Sequence, residues 1–108
     1  LYAENIVKAW AIWKGTATAS IYGSFNVSSI ARNNTGDYTI TWDRDFAATP
    51  YAVAGMAHED GSLNGAIVAI ANPQGSMAVG TCNVVTEIAG TNAQVDSVLV
   101  SLMAIGAQ

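Results

Sequence analysis

Three segments of this chain carry apolar residues on both of the faces that a β-strand presents. They are "IVKAWAIW" (6–13), "AIVAIA" (66–71) and the end of "VDSVLVSLMAI" (95–105). In the last, Val98, Val100, Leu102 and Ala104 fall on one side. Leu99, Met103 and Ile105 fall on the other, with Ser101 among them. Strand side chains alternate between faces, so an antiparallel sheet with one wet face reads apolar, polar, apolar. These segments do not, and their second face requires a cover. A chain of 108 residues buries only about two-thirds of its unfolded surface. It cannot cover them all from within. Self-association is the simplest cover, because oligomers are mostly symmetric and homomeric; the alternative is a thick, unusually apolar monomer core.

Charge is scarce in the same sense. Only 11% of residues are charged, against an ordinary ~25%, and Ser, Thr, Asn and Gly supply most of the polar surface. Lys8, Lys14, Arg32 and Arg44 are scattered singly, and the net charge is -4. No basic patch exists, which argues against nucleic acid as a partner. The apolar runs are shorter than the ~20 residues of a membrane helix, so no membrane insertion is expected. The single cysteine, Cys82, excludes an intrachain disulfide. Within "MAVGTCNVV" it reads as a small buried hydrophobe.

Helical spacing of apolar residues is rare, while alternation of Thr, Val, Ile, Trp and Tyr is frequent. Strands are expected at 6–13, 16–22, 37–42, 51–57, 66–71, 77–85 and 95–105. In "TATASIY" (16–22), Ala17, Ala19 and Ile21 share one face. In "DYTITW" (37–42), Tyr38, Ile40 and Trp42 face the core. Between them, 23–36 is a polar corner with one short extended piece, "VSSIA", and a tight turn at "NNTG" (33–36), where Asn34 and Gly36 suit positive φ. The expected fold is all-β: one domain over 1–108, an antiparallel β-sandwich of about seven or eight strands. The chain begins at Leu1 with no visible leader, as expected of a domain cut from a longer protein.

Catalytic constellations are sparse. His58, Glu59 and Asp60 stand together before Gly61, without the His-Glu-x-x-His spacing of zinc proteases. A polar turn is the simpler reading, and neither a metal nor a cofactor is expected. Asp43 and Asp45 flank Arg44. Paired carboxylates can hydrolyse glycosides when held ~5–10 Å apart, but a charged loop tip explains the trio as well. With one histidine in the chain there is little from which to build a triad, and no catalytic residue is assigned.

One part of the chain is more specific. Ala9 and Trp10, Trp13, Gly15 and Thr16, Ile21, "SFNVSSI" (24–30), "GDYT" (36–39) and "YAVAG" (51–55) occur in an order that resembles the C-terminal domain of bacteriophage tail fibre proteins. The likeness covers residues 8–55 and becomes general beyond them. It implies a homotrimeric fibre tip on the virion, acting outside the cell. Such a tip adsorbs, without catalysis, to a bacterial surface glycan or outer-surface protein. Alternatives are a structural trimerisation cap, or a fragment of a polysaccharide depolymerase. "DRDFAATP" (43–50) is longer and more charged than the connection expected at that point.

Binding function concentrates on loops held by a rigid scaffold. The candidate receptor-binding residues are therefore Asp43, Arg44 and Asp45, then His58, Glu59, Asp60 and Asn64, then Asn72 and Gln74. Residues 26–37 are assigned to folding.

Overall fold

The computed structural model of the chain describes residues 6–58, 67–71, 77–88, 91 and 93–108. Every regular element among these residues is a β-strand: β1 (Val7–Lys14), β2 (Ser20–Phe25), β3 (Val27–Asn34), β4 (Asp37–Trp42), β5 (Ala52–Ala57), β6 (Ile67–Ala71), β7 (Thr81–Ile88), β8 (Ala93–Gln94) and β9 (Val100–Ile105). They form two antiparallel sheets. One has the order β2-β1-β9-β5; the other runs β3-β4-β7-β6, with the two-residue β8 also on β7.

Alternation decides what lies between the sheets. Ala9, Ala11 and Trp13 of β1 stand opposite Ala104, Leu102 and Val100 of β9, and all six are buried. Tyr38, Ile40 and Trp42 of β4 are buried as the alternation requires, with Cys82 and Val84 of β7 beside them. The small residues of β1 leave room for the large ones. Trp13 meets Tyr38 edge to face, with ring centroids 5.7 Å apart, a geometry that aromatic quadrupoles favour.

Strand boundaries depart from the sequence expectation in several places. Residues 16–19 form no strand, and Ala17 has φ of 55°. The strand starts at Ser20 and continues to Phe25, because its register is set by pairing with β1 rather than by the Thr/Ala alternation. The polar corner is itself structured: Val27–Asn34 is a full strand, with only Gly36 at positive φ in the following turn. Residues 78–80 turn instead of pairing, and β7 runs on to Ile88. Finally, β9 begins at Val100, not at 95.

The chain passes from one sheet to the other at Asn26, which separates β2 from β3 with φ of 57°. Asparagine tolerates this left-handed conformation better than other residues with a β-carbon. Gly36, at φ of 67°, is more constrained still. A β-carbon there would lie 2.7 Å from the carbonyl oxygens of Thr86 and Val95.

Candidate functional site

The 43–49 segment follows β4 and is fastened to three separate parts of the sandwich, one of them the C-terminal tail. The Asp43 N–H donates to the Asn26 carbonyl at 3.1 Å, Phe46 N–H to Val79 at 2.9 Å and Ala47 N–H to Ala107 at 2.9 Å. The Gln108 side chain donates to the Arg44 carbonyl at 3.1 Å. Phe46 is also a core residue. It stacks on Tyr51 at 4.0 Å and meets Trp42 edge to face at 5.6 Å. An aromatic in a loop otherwise made of small and charged residues was the available signal for this anchor.

Tyr51 completes the base of the loop. Its hydroxyl accepts from Trp42 Nε1 at 2.9 Å and lies 2.8 Å from the carbonyls of both Ala78 and Thr81. Burial pushes the phenol up to about 12, so it stays a neutral donor. On this base Asp43, Arg44 and Asp45 are all exposed. The Asp45 carboxylate passes over Gly80, where a β-carbon would stand 3.0 Å from its Oδ1. Two carboxylates and a guanidinium on a fixed backbone can hydrogen-bond hydroxyl, amide or carboxylate groups of a ligand.

His58 is not part of this group. Its N–H donates to the Leu99 carbonyl at 2.8 Å, just beyond the far end of β5. The six residues of β5 separate it from the 43–49 loop, about 20 Å at ~3.3 Å per residue. The structure therefore splits the described candidates between the two ends of the sandwich. Glu59, Asp60, Asn64, Asn72 and Gln74 lie outside the described residues. Among the described residues, no three His, Cys, Asp or Glu side chains gather where a metal ion could sit, and no helix is long and apolar enough to cross a membrane.

A polar cluster stands at the same end as His58. Arg32 grips Asp96 with two hydrogen bonds, Nε to Oδ1 at 3.0 Å and Nη2 to Oδ2 at 2.8 Å. The Gly36 N–H adds a third at 2.9 Å. Beside them, Tyr38 donates to the Gly15 carbonyl at 2.7 Å. Desolvation acts to raise the Asp96 carboxyl. The bonds from Arg32 and Gly36, with the guanidinium charge, outweigh it and hold the carboxyl below its ordinary value. Arg32 and Asp96 are 64 residues apart, so no local pattern announces the pair. It ties β3 to the approach of β9, which is a structural task.

The outer faces of the two sheets differ. Across β3, β4 and β7 the surface is amide, hydroxyl and carboxylate. Asn33 donates to Thr39 Oγ1 at 2.8 Å, and Asn83 donates to Asp37 Oδ1 at 2.6 Å. The outer face of the four-stranded sheet is apolar at its centre, with Lys8 and Lys14 of β1 toward its two ends. There Trp10 stands opposite Phe25 and Met103, and Met103 opposite Ala54. An open groove of about 440 Å³ runs among Trp10, Ile12, Ala54, Gly55, Met56 and Met103. The two-sided apolarity of β1 and β9 in the sequence is therefore real, and among the described residues their second face stays open.

The geometry defines the class of the protein: an antiparallel β-sandwich with one apolar and one polar outer face and a firmly held charged loop at one end. No family model, curated protein or solved structure matches the chain.

Proposed function

We propose that this domain is the receptor-binding tip of a bacteriophage or phage-like tail fibre. It works as a homotrimer on the virion and grips a bacterial surface glycan or outer-surface protein without catalysis. The observation that carries this reading is the 43–49 loop, with three charged side chains exposed on a backbone held by Asn26, Val79, Ala107 and Gln108. A loop fixed before binding loses little entropy on contact. The sequence resemblance supports the same reading, because its "SFNVSSI" element (24–30) contains the asparagine that fastens the loop. Each loop makes few contacts, and three copies per fibre multiply them through avidity.

The test is competition for adsorption. The free domain is expected to stain susceptible bacteria and to block attachment of the particle that carries it. Arg44→Ala, His58→Ala and Asn64→Ala are each expected to fold, and at least one to weaken cell binding. Because the loop and His58 lie at opposite ends, the Arg44 and His58 variants also report which end meets the cell. A folded trimer that neither stains cells nor blocks attachment leaves the domain as a structural cap. Sugar release from host polysaccharide moves the reading to a depolymerase.

A further inference from the structure

We infer that the outer face of the β2-β1-β9-β5 sheet is where copies of this chain meet, with Met56 of one copy seated in the Trp10–Met103 groove of the next. The inference rests on the reading of the domain as a self-associating fibre tip. It adds which surface is buried and which stays wet.

Three observations select a second copy as the occupant. The first is shape. Met56, 74% exposed, stands at the rim of the groove formed with Trp10, Ile12, Ala54 and Met103. A projection and a hollow are what a head-to-tail ring joins, each copy's projection entering the next copy's hollow. Methionine suits the task because its unbranched thioether fills irregular gaps.

The second is charge. Trp10, Ile12, Phe25, Ala54, Met56 and Met103 share this face through the registers of β1, β2, β5 and β9, and none of them is charged; the two lysines on the same side of β1, Lys8 and Lys14, stand toward the ends of that strand and flank the apolar centre. Interfaces between different proteins set partner and register largely with complementary charge. Permanent homomeric interfaces are the more apolar kind.

The third is area. Trp10 and Phe25 are 39% and 57% exposed, which leaves roughly 100 Å² open on each, given ~150–250 Å² for an aromatic side chain. With Ile12, Met56 and Met103 the patch reaches about 400–500 Å², the upper range for a monomer surface. Tyr22, 64% exposed, is the extra residue of a bulge opposite Ile12 and Trp13 on the adjoining edge strand β2. A standard interface buries ~800 Å² per partner, of which this patch would form the apolar centre.

Trp10 provides a direct readout. The other tryptophans, Trp13 and Trp42, are buried, so acrylamide quenching of the parent protein reports chiefly on Trp10. Sedimentation and quenching would be measured together over a dilution series of the 108-residue chain, for the parent, Ile12→Lys and Met56→Glu. Thr41→Lys, on the polar sheet, is the control. The parent and the control are expected to associate, with Trp10 shielded from acrylamide until dilution separates the copies. The two face variants are expected to remain folded monomers with Trp10 open. If either face variant unfolds, the parent's quenching decides alone. A parent that stays monomeric at high micromolar concentration overturns the inference, and so does a shielded Trp10 in a monomer. An oligomer in which Trp10 stays accessible, or one that survives both face substitutions, overturns the face while leaving the fibre reading to the adsorption test. Association into two copies instead of three keeps the face and removes the homotrimer.

Discussion

Asn26 and Arg44 are 18 residues apart, and the side chain of the first closes on the backbone of the second. Asn26 Oδ1 accepts the Arg44 N–H at 2.6 Å, and Nδ2 donates to the Arg44 carbonyl at 3.2 Å. The amide thereby imitates one rung of an antiparallel ladder, in which two residues exchange both bonds. The same residue turns the chain between sheets at positive φ. One asparagine therefore sets the sheet crossing and the start of the charged loop together.

Asn26→Ala is expected to destabilise the domain by about 1–3 kcal/mol. It combines left-handed strain of ~1–2 kcal/mol with the loss of partly exposed hydrogen bonds. Asn26→Gly removes the strain and keeps the loss of bonds, so it should cost less. Urea unfolding of the two variants measures the difference. Both should loosen the 43–49 loop, read as faster amide exchange at Arg44.

Trp42→Ala is expected to cost about 3–5 kcal/mol, the range for deleting a large buried aromatic. Trp42 touches both Phe46 and Tyr51 and gives the Tyr51 hydroxyl its donor. Small domains have only ~5–15 kcal/mol in total, so the variant should be near unfolding at room temperature. Tyr38→Ala is expected to behave alike, since it removes the partner of Trp13 and the bond to Gly15. Circular dichroism melts of both variants provide the check. A parental melting temperature for either would contradict the core described here.

Stability should fall in acid through Asp96. Its folded pKa lies below the unfolded one, so its contribution is present above the unfolded value of ~3.9. It is lost as the pH drops through the lower folded value. The melting temperature of the parent should therefore decline below about pH 4. Asp96→Asn should melt lower at neutral pH and show a shallower acid limb.

Cys82 should be inert in the folded protein. It is buried in β7, and burial pushes its thiol up to about 11. The thiolate is the reactive form. A disulfide reagent at mildly alkaline pH is expected to label the chain only after denaturant is added. Rapid labelling of the native protein would mean that β7 opens locally.

The period of two in "DYTITW" is enough to place Tyr38, Ile40 and Trp42 inside, because a strand's pleat is a local property and any sheet must respect it. The lack of that period in "IVKAWAIW" and in 95–105 likewise marks β1 and β9 as strands with two apolar sides. The buried character of Cys82 follows from its neighbours in the same way. Local pattern did not determine where separate segments meet. Nothing near Arg32 points to Asp96, and nothing near Asn26 points to Arg44. The alternation in "TATASIY" even pointed to a strand that the pairing of β2 with β1 displaced toward Phe25. Tertiary structure also parted Asp43 and His58, because the whole of β5 runs between them. Side-chain periodicity is encoded within a few residues of the chain. The pairing of distant segments depends on which closures let every strand find its backbone partners and every core face its cover at once, and only the folded chain satisfies those conditions together.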